Sequence, residues 1–291
     1  MTAPVLRLRS PLFAPGDSAR KAEKALASAA DAVILDLEDS VAASSKDAAR
    51  AMTAALLPGL NRPGVIVRVN PPGTPWYLAD LAAVVPGRPA AIMLPQCTGA
   101  ADLLALDHHL EVLETAYGIP VGSIRVVPIV TETTGSVLNL PTMLASATRV
   151  AAVCFGAEDL SADLGISPRH ADNSYPAAVA HARALVLLAA AAAGIAALDT
   201  PYPDPRDPEG LRRETEAAAA DGFSGKLCIH PDQIIPVNAA FTPSPAKLEW
   251  AHAVIAGFAA NPNSGVFTLD GKMIDRPHLR LAERILASSG I

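Results

Sequence analysis

Eight short apolar runs, separated by Ala-rich stretches of helical character, follow one another through most of the chain. They are LRSPLF from Leu8, AVILDLED from Ala32, VIVRVN from Val65, AAIMLPQ from Ala90, RVVPIVTE from Arg125, VAAVCFGAED from Val150, GIAALDTPY from Gly194 and GKLCIHP from Gly225. Most are continuously apolar rather than alternating, as expected of strands covered on both faces. Helical segments such as Ser18–Ala30, Ala100–Ala116, Pro176–Ala192 and Pro208–Asp221 lie between them. Eight strand–helix repeats predict a closed α/β barrel, the (β/α)8 or TIM barrel. An open doubly wound sheet would want a Gly-rich turn after the first strand, but FAPGDSARK carries one glycine and lacks the dinucleotide fingerprint.

The barrel is expected over residues 1–235. Beyond it the pattern changes: FTPSPAK and NPNSG bracket a helix around Lys247–Ala260, and VFTLDGKMIDRPHLRLAERILA reads as a turn followed by an amphipathic helix. Residues 236–291 are therefore expected to form a C-terminal helical extension acting as a lid, on its own barrel or on a neighbour's. The last helix (Pro277–Ala287) carries Leu279, Ala282, Ile285 and Leu286 at helical spacing, an apolar face that something must cover.

Composition excludes several function classes. Aromatics are only 4% of the residues, so the core is built from aliphatic side chains, which suits helices on parallel strands. The net charge of −6 shows no basic excess for nucleic acid. Cys97, Cys154 and Cys228 are far apart and sit in or beside apolar runs, unlike metal or redox pairs. No apolar stretch is long enough to span a bilayer, and the N-terminus has no signal-peptide core, so a cytoplasmic location is expected.

In a barrel of this kind catalytic groups gather at the carboxyl ends of the strands. Asp36, Glu38, Asp39, Arg68, Asn70, Glu132, Glu158, Asp159, Asp199 and His230 all fall there. Three carboxylates within Asp36–Asp39 repel one another unless a cation or an arginine compensates them. Glu132 and Asp159 end consecutive strands, and two carboxylates plus water suit octahedral magnesium. A lone acid at a strand end also serves as a helix N-cap, and for Glu158 and Asp199 that alternative stays open. His108 and His109 read as solvated surface on a polar helix.

RSPLFAPG from Arg9, KALASAADAVILDLEDSV from Lys24, RVN from Arg68, TETTG from Thr131, FGAEDLSADLG from Phe155, DTPYPDPRDPEGL from Asp199, GFSGKLCIHPDQI from Gly222 and GKMIDRPH from Gly271 occur in that order. Together they resemble the citrate lyase beta subunit-like family, within the HpcH/HpaI aldolases, malyl-CoA lyases and citramalyl-CoA lyases. The resemblance implies a magnesium-dependent carbon–carbon lyase that cleaves a short 3-hydroxyacyl-CoA (malyl-, citramalyl-, citryl- or 3-hydroxy-3-methylglutaryl-CoA) to acetyl-CoA or a similar thioester and a 2-oxo acid. It implies metal binding by Glu132 and Asp159 and substrate binding by Arg68. It places Arg9, Ser10, Phe13, Pro15, Gly16 and Lys24 at coenzyme A, and Asp36, Glu38 and Asp39 near the metal. Asp275 would be an acid/base inserted by a neighbouring subunit of a homotrimer or a hexamer of two trimers. The family commonly has Pro-Lys where this chain has Pro95-Gln96, which bears on the thioester contact. Three alternatives stay open: a citrate lyase beta subunit acting on a carrier-protein thioester, a malate synthase-like condensing enzyme with thioester hydrolysis, and a non-catalytic CoA-binding protein.

Overall fold

The computed structural model describes residues 6–145, 148–262 and 264–289. They form two compact units, Met1–Asn238 and Ala239–Ile291.

The first unit carries eight parallel strands: β1 (Pro11–Pro15), β2 (Ala32–Asp36), β3 (Val65–Arg68), β4 (Ala91–Leu94), β5 (Arg125–Pro128), β6 (Ala152–Cys154), β7 (Ala196–Asp199) and β8 (Gly225–Lys226). The connecting helices are α1 (Ala19–Leu26), α2 (Lys46–Leu56), α3 (Tyr77–Val84), α4 (Ala100–Ala116), α5 (Thr134–Met143), α6 (Ala157–Leu164), α7 (Ala177–Ala193) and α8 (Pro208–Asp221), with α9 (Ile234–Ala240) after the last strand. Continuous ladders join β1 through β5 and β6 through β8. Single bridges close both seams: Val126 with Val150 and Ile129 with Cys154 between β5 and β6, and Leu12 with Cys228 between β8 and β1. At the second seam the Phe13 N–H donates to the Cys228 carbonyl (2.9 Å) and the Cys228 N–H to the Pro11 carbonyl (2.8 Å). The eight strands thus close into a barrel.

Strand periodicity sorts the residues into two layers. Ala32, Ile34, Ile66, Ala91, Met93, Val127, Ile129, Ala152, Cys154, Leu198 and Leu227 fill the interior, with Phe13 and Ala196 packed against them. Their neighbours Val33, Leu35, Val67, Ile92, Leu94, Val126 and Val153 are buried too, on the face covered by helices. That double burial explains why the strands read as unbroken apolar runs. One pair on the outer face is charged. Lys226 Nζ lies 2.9 Å from Asp199 Oδ2 and 2.6 Å from Glu214 Oε1, and Arg183 Nε lies 3.1 Å from Asp199 Oδ1. Asp199 and Lys226 are fully buried. Asp199 is therefore neither a helix cap nor part of the rim: it anchors β7 and β8 to α7 and α8.

The second unit holds α10 (Pro245–Ala260), an antiparallel hairpin of β9 (Val266–Leu269) and β10 (Lys272–Asp275), and α11 (Arg276–Ser289). The hairpin replaces the simple turn expected there. Its tip, Asp270-Gly271, has φ of 48° and 75°, the left-handed pair that a tight hairpin requires. Ala251, Val254, Phe258, Ile274 and Ala282 form a core against which Leu279, Ile285 and Leu286 pack. The apolar face of the last helix is thus covered inside its own unit and gives no argument for a neighbour.

Candidate active site

Strand parity dictates which side chains look into the mouth of the barrel. Ile34 and Ile66 are interior, so two residues further on Asp36 and Arg68 share that face at the carboxyl ends of β2 and β3. They are also ladder neighbours. Arg68 Nε and Nη2 donate to Asp36 Oδ1 and Oδ2, both at 2.7 Å. Its Nη1 lies 2.7 Å from Glu38 Oε2 and 3.6 Å from Asp39 Oδ2. The Glu38 contact is an ion pair without hydrogen-bond alignment, which leaves that oxygen without a hydrogen-bonded partner. The Phe13 ring lies against the guanidinium, 4.8 Å from Cζ to the ring centroid.

Asp36 also accepts the N–H groups of Glu38 (2.9 Å) and Ser40 (3.2 Å). Burial pushes its pKa up, but the Arg68 hydrogen bonds and charge outweigh burial and hold it below the usual range. Asp36 is a brace for the loop and for Arg68. Glu38 differs: burial raises its carboxyl to about 7, with Arg68 opposing and Asp39, Asp36 and Asp159 adding to the rise. Lys46, which the sequence analysis passed over, donates from its buried Nζ to the carbonyls of Leu37 (2.8 Å) and Glu38 (2.7 Å) and so fixes the acidic loop from below. Its signal, a lysine opening a helix just after an acidic loop, is too common to single out.

Glu132 and Asp159 follow the carboxyl ends of β5 and β6. Thr133 caps α5 through a reciprocal pair with Ser136, which fixes the backbone just after Glu132 (3.1 and 3.2 Å). Thr131 Oγ1 accepts the Gly156 N–H (2.9 Å) and ties the end of β5 to the start of α6. Asp159 stands in the first turn of α6, where the helix dipole favours a negative charge. Gly156 lies between the two acids: a Cβ there would sit 3.3 Å from Glu132 Cγ and 3.9 Å from Asp159 Oδ2. Burial drives the Glu132 carboxyl well above its ordinary value, opposed by the N–H that Gln96 donates to Oε2. Burial also raises Asp159, with Asp39 adding to the rise.

Five carboxylates (Asp36, Glu38, Asp39, Glu132 and Asp159) are thus coupled to two cations, Arg68 and Lys46. That excess of negative charge, part of it buried, fits a divalent cation. Among the described residues no three His, Cys, Asp or Glu side chains converge to form a complete cage. Two carboxylates with the remaining positions left to water or substrate suit magnesium better than zinc.

Other expected site residues lie elsewhere. Arg9 and Ser10 precede β1 and stand at the opposite, amino-terminal end of the barrel. There the Arg9 guanidinium grips Asp31 (2.7 and 2.8 Å), and Ser10 donates to Asn238 Oδ1 (2.7 Å) while accepting the Asp31 N–H (3.2 Å). These contacts tie the segment before β1 to the start of β2 and to α9, at the end of the barrel away from the acidic rim. Gly16 packs against the loop after β2, its N–H donating to the Asp36 carbonyl (2.7 Å), so a side chain there would strike that loop. Pro15 ends β1 at the site end and is half-buried, and Lys24 is exposed on α1. Asn70 is buried on Asp80 (2.7 Å), and His230 caps the turn Pro231–Gln233. His109 is not solvated surface; its ring packs edge-on to Tyr77 at 5.9 Å, with Nδ1 buried. In the second unit Asp275 Oδ1 lies 2.5 Å from His278 Nδ1, so the aspartate at the start of α11 has a histidine partner that the sequence analysis did not single out.

The HpcH/HpaI aldolase/citrate lyase family model matches residues 9–231, which is the barrel. A citrate lyase subunit beta-like protein of Mycobacterium tuberculosis is 38% identical over 282 residues, covering 96% of this chain and 94% of that one. A (3S)-malyl-CoA thioesterase of Cereibacter sphaeroides is 37% identical over 285 residues, covering 97% and 94%. Among solved structures, protein CitE from Mycobacterium tuberculosis in complex with magnesium, acetoacetate and coenzyme A superposes with a TM-score of 0.78 at 38% identity, covering 97% of this chain and 98% of that one. The barrel and its relatives define a carbon–carbon lyase. The chain belongs to the HpcH/HpaI aldolase/citrate lyase family.

Proposed function

We propose that the protein is a magnesium-dependent lyase that cleaves a short 3-hydroxyacyl-CoA thioester to acetyl-CoA or a similar acyl-CoA and an oxo acid: a 2-oxo acid from the malyl, citramalyl or citryl type, a 3-oxo acid from the 3-hydroxy-3-methylglutaryl type. The observation that carries this reading is the pair Glu132 and Asp159 on either side of Gly156, with the Arg68 guanidinium in the same charged cluster. Cleavage removes the proton from the 3-hydroxyl, breaks the bond to the carbon next to the thioester and leaves an enolate that takes up a proton. A magnesium ion on Glu132 and Asp159 would supply a Lewis acid to the substrate oxygens. Arg68 contributes fixed positive charge where the oxyanion develops, and the Asp36 fork keeps its plane from turning. Phe13 lies against the guanidinium and helps to hold its plane.

Asp275, paired with His278, is the candidate proton carrier, and in this proposal it serves the barrel of a neighbouring subunit in a homotrimer or a hexamer of two trimers. The substrate panel of malyl-, citramalyl-, citryl- and 3-hydroxy-3-methylglutaryl-CoA, with magnesium and mass detection, tests the assignment. One member should yield acyl-CoA and the matching oxo acid in equal amounts. A second reading, thioester hydrolysis, draws on the similarity to the malyl-CoA thioesterase. Release of free CoA with the acid skeleton intact would establish it in place of cleavage.

A further inference from the structure

The turn after β4 has a conformation that calls for a reason. Gln96 adopts φ 49°, a left-handed backbone that residues other than Gly, Asn and Asp seldom take. Nothing in its side chain requires this, because the side chain is exposed. The flanking residues hold the turn: Pro95 is buried, and Cys97 is fully buried with Sγ 3.8 Å from Met143 Sδ. Further along, Thr98 donates from its N–H and Oγ1 to Asp102 Oδ2 (2.8 and 2.7 Å), and Asn139 Nδ2 donates to the Thr98 carbonyl (3.0 Å). The turn is thus pinned to α4 and α5, which is the setting in which an unfavourable backbone conformation persists. What it achieves is one contact: the Gln96 N–H points at Glu132 Oε2.

We infer that Gln96 is a positioning residue for the metal, acting through its backbone: its left-handed turn aims the N–H at Glu132 Oε2 and leaves Oε1 to meet the ion. This rests on the proposal that Glu132 binds magnesium. A carboxylate with one oxygen held by a fixed N–H loses less freedom on binding an ion. The side chain itself is dispensable for this task. Residue identity at position 96 therefore matters through backbone preference, not through what the side chain touches.

Calorimetric titration of magnesium alone into the purified full-length enzyme, with no substrate present, tests the inference alongside thermal melting. Gln96→Gly and Gln96→Asn, both at ease in the left-handed region, should bind magnesium within about threefold of wild type. Gln96→Val, whose branched side chain resists that region, should weaken binding about tenfold or more. If the valine variant does not fold, replacing Gln96 by the α-hydroxy analogue of glutamine turns the Pro95–Gln96 amide into an ester, removes the N–H donor and should give at least the same loss. Wild-type affinity in a folded valine or ester variant, with only a lowered melting temperature, would reduce the turn to loop structure and overturn the inference. Absence of magnesium binding by wild type itself would instead overturn the metal assignment at Glu132.

Discussion

At the scale of single residues, the site separates side chains that brace from side chains that are left with charge to offer. Arg68 and Asp36 form a two-point fork, so Arg68→Lys, which keeps the charge but cannot span both oxygens, should lower turnover by about an order of magnitude or more. Circular dichroism of the same preparation would verify that the loss is per folded molecule. Unchanged activity with a lower melting temperature would make Arg68 a purely structural partner of Asp36. A second residue-scale prediction concerns Asp199. Burial raises its pKa, but the charges of Lys226 and Arg183 outweigh burial and hold it below the ordinary value. A carboxyl depressed by folding contributes stability that is full above its unfolded pKa, near ~3.9, and is lost as pH falls through the folded value. Urea midpoints measured from pH 7 down to pH 3 should therefore fall for wild type at the acid end. Asp199→Asn should show a flatter profile and be about 3 kcal/mol less stable at neutral pH, since it removes one partner from a buried network. Asp36, Arg68, Glu132 and Asp159 were legible as candidates because strand ends are where barrel chemistry must sit, and the fold gathers them into one charged cluster. The position of Arg9 and Ser10 was not legible, because a motif spanning a strand runs from one end of the barrel to the other, and only strand direction tells which half lies at the rim.

At the scale of elements, the eight strands were legible because double burial leaves unbroken apolar runs, and α4 and α8 match their expected spans. The hairpin of β9 and β10 was not read, although its Asp270-Gly271 tip is a strong hairpin signal, because VFTL and KMID are short and mostly exposed and lack a clean alternation. The seams of the barrel are invisible in sequence, since pairing of first and last strands leaves no local pattern. One residue reports on that closure: a Cβ on Gly225 would collide with the Leu8 and Arg9 carbonyls of the neighbouring segment. Gly225→Ala should destabilise the barrel by about 1–3 kcal/mol or more, read from urea denaturation. Wild-type stability would mean that β8 and β1 are not held that closely.

At the scale of the whole molecule, the two compact units divide the chemistry of the proposal: the metal ligands and Arg68 belong to the first, Asp275 and His278 to the second. If sites are shared between subunits, mixing Asp275→Ala chains with Glu132→Ala chains, each inactive alone, should restore part of the activity once subunits exchange. A mixture that stays inactive despite demonstrated exchange would confine Asp275 to its own barrel or to capping α11. The central claim is the metal-assisted cleavage itself. It is tested most directly by following acyl-CoA and oxo acid formation from the best substrate of the panel, with magnesium, with excess EDTA, and for Glu132→Ala and Asp159→Ala with magnesium. Wild type with magnesium should give equal amounts of both products, and rates should fall by several orders of magnitude in EDTA and in both folded variants. Full turnover in excess EDTA, or in either variant, would contradict that claim.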